Sequence, residues 1–86
     1  MREEIKDSSR RRVGYIEDGS YGKKIILDDR GHKLGELRTE SGKLWAYDAQ
    51  LHRLGYWDQS GNTTRNTVGQ MIGKGNLLLD FFFKNL

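Results

Sequence analysis

The stretch Ile25–Arg38 reads I-I-L-D-D-R-G-H-K-L-G-E-L-R and decides the fold, because a related stretch follows 20 residues later. That second stretch, Trp45–Asp58, reads W-A-Y-D-A-Q-L-H-R-L-G-Y-W-D. The two share an Asp, a His and a Leu-Gly pair at the same spacing. The chain is therefore built from a repeated unit, and such a repeat determines the architecture more strongly than local propensity does.

The repeated unit is Asp or Asn, two residues, often Gly, two residues, an aliphatic residue and Gly. Four copies begin at residues 7, 28, 48 and 66, and the first is the weakest. Asp first and Gly fourth favours a type I turn, in which the Asp side chain accepts backbone N–H groups and Gly supplies a positive φ. Arg10 and Leu51 stand where two copies lack that Gly. We predict turns at residues 7–10, 28–31, 48–51 and 66–69.

Short apolar segments fill the intervals between these turns and read as strands. Such strands, with turn signals every ~8–12 residues, indicate an all-β meander. Residues 1–86 are expected to form one domain that is mainly β, with four tandem hairpin-like repeats in a curved meander or barrel-like sheet. The predicted strands cover residues 13–16, 21–27, 34–38, 44–47, 54–57, 63–65 and 71–72.

The Gly that ends each unit needs a separate reason. Apolar residues flank it at a spacing of three, as Leu34 and Leu37 do around Gly35, whereas a regular strand alternates with a period of two. A β-bulge at Gly14, Gly35 and Gly55 would return both neighbours to one face. Close approach of another backbone is the alternative reason.

Composition limits the classes of protein. The chain has 86 residues, no Cys and a net charge of +3. Disulfides and thiolate metal sites are excluded, and a small core favours oligomerisation. No apolar run is long enough to span a bilayer, and the charged start of the chain predicts no signal peptide. We therefore expect a cytoplasmic protein that forms homo-oligomers.

The last segment, residues 76–86, departs from the repeat and reads N-L-L-L-D-F-F-F-K-N-L. Leu78, Phe82 and Leu86 share one helical face, and Asn76 is a competent N-cap. A short apolar helix is the favoured interpretation, although a buried strand has the same pattern. Either form is expected to be buried within the sheet or against a partner subunit.

Four units of this kind, with an apolar C-terminal segment, resemble the small bacterial four-fold β-flower proteins. The residues that carry the resemblance are Asp7, Val13, Gly14, Asp28, Gly31, Leu34, Gly35, Asp48, Leu54, Gly55, Asn66, Gly69, Ile72 and Gly73. The resemblance implies the fold and no established activity. It also implies a possible origin on mobile elements, since some small proteins of this kind are encoded on integron cassettes.

The chain offers little for catalysis. His32 and His52 occupy equivalent repeat positions and could hold zinc, but Lys33 and Arg53 follow them and oppose a cation, so exposed turn residues are the simpler interpretation. We expect no metal, no cofactor and no catalytic residue. A small hydrolase is a remote alternative. Residues 73–76 have only part of a phosphate-binding loop, and residues 10–12, R-R-R, either grip phosphate or form a solvated turn.

Aromatic residues on two neighbouring predicted strands form the candidate ligand-binding set. They are Trp45, Tyr47, Tyr56 and Trp57, together with Arg53. Aromatic and basic side chains on a sheet can stack nucleic-acid bases or line an apolar cleft. They can also only stabilise the sheet by cross-strand pairing.

The sequence therefore favours a non-enzymatic β-repeat module for binding and assembly, with no known specific function. We expect it to self-associate and to bind a protein or a small ligand. A single-stranded nucleic-acid-binding protein is the alternative.

Overall fold

The computed structural model describes residues 2–83 and Leu86. It contains one antiparallel sheet whose eight strands are hydrogen-bonded in sequence order. The predicted mainly-β meander is confirmed. No helix in this part of the chain is long and apolar enough to cross a membrane. The strands are β1 (Arg2–Lys6), β2 (Arg12–Asp18), β3 (Lys24–Asp28), β4 (Lys33–Glu40), β5 (Lys43–Asp48), β6 (Arg53–Asp58), β7 (Thr63–Asn66) and β8 (Met71–Lys74).

The four repeats form four hairpins, β1–β2, β3–β4, β5–β6 and β7–β8, closed by the same turn. In the second hairpin the Gly31 N–H donates to the Asp28 carbonyl oxygen at 3.1 Å. The Asp28 side chain accepts from the Arg30 and His32 N–H groups at 2.9 and 2.8 Å. The corresponding bonds recur in the other three hairpins, so the predicted turns are confirmed.

Two of these turns lack Gly at the fourth position and still adopt the same geometry. Arg10 and Leu51 have φ of 65° and 66°, close to the 85° of Gly31. A non-Gly residue in this region is strained. The Asp side chain, which bridges two backbone N–H groups, stabilises the turn in spite of that strain.

The bulge occurs at the same place in each hairpin. Between β3 and β4, Ile26 pairs with Gly35 and Leu27 pairs with Lys33, which leaves Leu34 without a partner. The extra residue is therefore the aliphatic one just before the Gly. The Gly itself allows close approach of another backbone, the alternative reason predicted for it, because a Cβ atom on Gly35 would overlap the Tyr47 carbonyl oxygen of β5. The other three hairpins shift register at equivalent pairs.

The core contains one strand position from each repeat, the residue that pairs with the motif Gly, together with Leu37 and Leu78. Three of the four are Ile5, Ile26 and Ala46, all buried. The fourth is Thr64, which is also fully buried. Its hydroxyl donates to the Gly75 carbonyl oxygen at 2.7 Å and accepts the Leu77 N–H at 2.9 Å. Thr64 thus ties the start of the C-terminal segment to the sheet.

The C-terminal segment forms a single 3₁₀ turn, Leu78–Phe81, where a longer helix over residues 76–86 was predicted. Leu78 is fully buried, whereas Leu86 is 41% exposed. The turn is short because the three Phe rings must reach three separate positions, each over the motif Gly of a different hairpin. Phe81, Phe82 and Phe83 lie over three motif glycines in three different hairpins, and Leu77 lies over the fourth. An α-helix rotates successive side chains apart and would not deliver three in a row to one surface. Lys84 and Asn85 lie outside the described residues.

Two local predictions were wrong. Strand β1 was not predicted, because Ile5 is its one apolar residue inside a charged sequence; Ile5 nevertheless pairs with Gly14 and is buried. Tyr21 was placed in a strand, but it lies in the β2–β3 turn with φ of 58°. That turn is centred on Tyr21 and Gly22, later than the Asp18-Gly19 pair that suggested it.

Candidate functional site

The structure brings four of the five predicted ligand-binding residues onto one face of the sheet. Trp45 and Tyr47 lie on β5, Tyr56 and Arg53 lie on β6, and their side chains point away from the core. Trp57 does not join them. It packs against the core on the opposite face, where its indole N–H donates to the Asn62 side chain at 3.1 Å.

Cations and rings alternate across this outer face. The Trp45 and Tyr56 rings are tilted by 44° with centroids 4.7 Å apart. The Arg53 guanidinium carbon lies 4.2 Å from the Trp45 ring centroid, and the Lys43 ammonium lies 4.9 Å from the Tyr56 centroid. Arg53 and Arg38 both lie within 6 Å of the Tyr47 ring, at 5.9 and 5.1 Å. Such contacts stabilise the face by about 0.5–1 kcal/mol each at exposed sites.

Carboxylates on β4 hold these cations in place, and the sequence did not single them out. Glu40 accepts the Arg53 guanidinium and the Tyr47 hydroxyl, each at 2.8 Å. Glu36 accepts Lys33 at 2.9 Å and also Arg38. The only signal in the sequence is the alternation E-L-R-T-E over 36–40, which places Glu36, Arg38 and Glu40 on one face.

Glu36 is the most enclosed ionisable side chain among the described residues, with 1% of its side chain exposed. Burial alone disfavours its charged form. Hydrogen bonds and charges from Lys33 and Arg38 outweigh that burial and hold the pKa of the carboxyl below its ordinary value. Glu36 therefore stays ionised at neutral pH and fixes the cations around it.

The histidines lie in two separate turns. His32 Nδ1 is 3.4 Å from its own Asp28, and His52 Nδ1 is 3.1 Å from its own Asp48. Both side chains are about three-quarters exposed. Across residues 2–83 and Leu86, no three His, Asp or Glu side chains come close enough together to hold a metal ion.

A second candidate surface is the outer side of the fourth repeat, defined here as the fourth-repeat edge: Val68, Met71 and Ile72. Their side chains are 77%, 55% and 47% exposed. They lie on β8 and its turn, at one end of the strand order. At the other end, β1 has charged residues, and Arg2 makes an ion pair with Glu17 at 2.7 Å.

No protein-family model, curated protein or solved structure matches this chain. Its two distinctive surfaces differ in whether their side chains already have partners within the chain. The outer aromatic face has its arginines paired with carboxylates. The fourth-repeat edge exposes apolar side chains next to the end of the sheet. That edge is the stronger candidate for a contact with another chain.

Proposed function

We propose that this chain is a non-enzymatic β-repeat binding and assembly module of the four-fold β-flower type, acting in the cytoplasm. Self-association through the fourth-repeat edge is the central part of the proposal. The observation that carries it is the exposure of Val68, Met71 and Ile72 at the end of an open sheet. An unprotected edge strand pairs readily with a second strand.

Comparison between the repeats supports this use of the edge. Three repeats place a cation at the position after the turn, namely Arg12, Lys33 and Arg53, and the fourth places Met71 there. Similarly, three turns begin with Asp and the fourth begins with Asn66. The fourth repeat thus keeps the geometry and replaces charge with neutral or apolar groups, which is the composition of a surface that contacts protein.

A second copy of the chain is the partner that this edge suits best. Antiparallel pairing of β8 with β8 of the second copy would place the two Met71 side chains near each other on one face of the joined sheet and the two Ile72 side chains on the other face. It would also keep the two Lys74 side chains at opposite ends, away from each other. Such an isologous contact closes on itself and gives a dimer.

The test is the oligomeric state in solution, measured by sedimentation for the unchanged chain, Met71→Glu and Leu51→Glu. A Glu at position 71 would face Arg65 across the hairpin, so the fold is preserved while the edge gains charge. Leu51 is 49% exposed but lies in the β5–β6 turn, and it serves as the control. We expect the unchanged chain and Leu51→Glu to form dimers, and Met71→Glu to be a monomer. A monomeric unchanged chain, or equal effects of the two substitutions, would overturn the proposal.

The outer aromatic face is the proposed surface for a protein or small ligand, through the half-buried rings of Trp45 and Tyr56. Single-stranded nucleic acid is a second candidate partner, favoured by the alternating rings and cations. The pairing of Arg53 with Glu40 and of Arg38 with Glu36 weighs against it, because phosphate would have to displace those carboxylates. Titration of a labelled oligonucleotide at low and high salt distinguishes the two, since phosphate contacts weaken steeply with salt.

A further inference from the structure

The β2–β3 turn contains an unusual residue. The Lys23 N–H donates to the Ser20 carbonyl oxygen at 3.2 Å, and Tyr21 and Gly22 have φ of 58° and 79°. This is the geometry of a type I′ hairpin turn, whose first central position favours Asn, Asp or Gly. The sister turn between β4 and β5 has Ser41 and Gly42 at φ of 51° and 78°. A bulky aromatic residue in this conformation is strained, and such strain is concentrated at functional sites.

Folding does not account for Tyr21, because its side chain is fully exposed at 106%. It makes no ring or cation–ring contact with the described residues. Within the described part of the chain, the ring makes no contact that would offset the strain of its backbone, so a bound ligand that covers the ring would supply the missing contact. The ring stands beside a cleft of about 480 Å³, a size that suits a small molecule. The cleft is lined by Ser20, Tyr21, Gly22, Lys23, Arg38, Thr39 and Glu40.

The charges around this cleft are unequal. Glu36 alone faces three cations: Lys33 at 2.9 Å, Arg38, and Lys23 at 3.8 Å. Glu40 faces one further cation, Arg53. Four cations therefore share two carboxylates on this part of the sheet, and of these six groups Lys23, Arg38 and Glu40 line the cleft itself. Lys23 has the longest of these ion-pair distances, so its ammonium is the cation most able to take another anion.

We propose that this cleft binds a small aromatic anion, a planar ring carrying one phosphate or carboxylate group. Lys23 would hold the anionic group, because Arg38 already donates to Glu36, and the Ser20 hydroxyl group would donate to its oxygens. The ring would stack against Tyr21 and cover the exposed phenol. Glu40 does not compete for the cations of the cleft, because its two oxygens already accept Tyr47 and Arg53.

The test uses phenyl phosphate as the probe, with inorganic phosphate and phenol as its two halves. Binding is followed by amide chemical shifts of the full chain in NMR. We expect phenyl phosphate to shift residues 20–23 and 38–40 and to bind at least roughly tenfold more tightly than either half, because ring and anion are recognised together. Equal affinity for inorganic phosphate, or no shift at these residues at millimolar probe, would overturn the proposal.

Two variants separate binding from folding. Tyr21→Asn fits the turn better and should raise the unfolding temperature, yet it should weaken phenyl phosphate binding roughly tenfold by removing the ring. Lys23→Gln should weaken binding similarly. Arg30→Gln, in the turn at the opposite end of β3, is the matched control and should leave binding unchanged. If Tyr21→Asn bound as tightly as Arg30→Gln, Tyr21 would have no part in the site. These outcomes are independent of the dimer test, which concerns β8.

Discussion

Gly35 and Gly73 end equivalent units of the repeat but meet different atoms. A Cβ atom on Gly35 would overlap the Tyr47 carbonyl oxygen and lie 2.5 Å from the Phe82 ring, whereas one on Gly73 would meet only the end of Leu77, at 2.6 Å. Neither glycine has a positive φ, so the difference is steric and not conformational. A flexible Leu side chain can move aside, but a carbonyl within a sheet cannot.

Gly35→Ala should therefore destabilise the chain by more than ~3 kcal/mol, in the range of core overpacking and backbone disruption. Gly73→Ala should lower the free energy of unfolding by less than about 1 kcal/mol. Urea unfolding followed by circular dichroism would measure both. Similar losses for the two variants would show that the backbone contact at Gly35 does not control this position.

At the scale of single residues, the sequence predicted which glycines mattered and where the four repeat turns lay, but it misplaced the β2–β3 turn. Spacing was sufficient because a turn and the bulge behind it are local structures. The pairing of three of these glycines with Phe rings was not predictable, since residues such as Phe82 and Gly35 are far apart in sequence and no periodicity connects them. The burial of Glu36 was not predictable for a similar reason: Arg38 is its neighbour on β4, but Lys23 approaches it from the β2–β3 turn.

At the scale of elements, the C-terminal segment was correctly expected to pack on the sheet, but its form was not. Its apolar composition required burial, whereas its conformation is set by the space over the motif Gly of each of the four hairpins. Thr64 holds Leu77 at the start, and the three Phe rings follow in order over Gly55, Gly35 and Gly14. Each of the four repeats is thus contacted by one apolar side chain of the segment, although the segment itself does not contain the repeat motif.

Phe82→Ala should consequently destabilise the chain by about 2–4 kcal/mol, slightly less than a fully buried Phe because its ring is half-buried. Leu86→Ala, at a position 41% exposed, is the control and should change the free energy of unfolding by under ~0.5 kcal/mol. Removal of residues 77–86 should leave the chain unfolded or aggregated. A folded truncated chain, or a neutral Phe82→Ala, would mean that the segment is not part of the core.

At the scale of the whole molecule, stability depends on carboxylates that are used as structural acceptors. The Asp28 and Asp48 side chains each accept backbone N–H groups in their turns, chiefly from His32 and His52, and this lowers the pKa of both carboxyls. Asp58 is lowered mainly by the Ser60 hydroxyl. Glu36 is lowered on balance by its cations, against its burial. Sheet order and turn positions followed from the sequence, but this coupling of the turns to pH depends on hydrogen bonds that only the structure defines.

The sign of the resulting pH dependence follows from these shifts. A carboxyl whose pKa is lower in the folded chain stabilises the fold fully above its unfolded pKa, near 3.9 for Asp and 4.3 for Glu, and loses that contribution as pH falls through the lower folded value. These groups should therefore leave the unfolding temperature steady above about pH 5.5 and make it fall progressively below about pH 4.

Asp28→Asn should keep the turn, as Asn66 does in the fourth repeat by accepting the Val68 and Gln70 N–H groups, and it should flatten the acid limb of the curve. Asp28→Ala should instead lower the unfolding temperature at every pH, because both acceptor bonds are lost. Calorimetry of the three proteins between pH 3 and pH 7 would measure this, and an acid limb as steep in Asp28→Asn as in the unchanged chain would show that the turn carboxylates do not control acid stability.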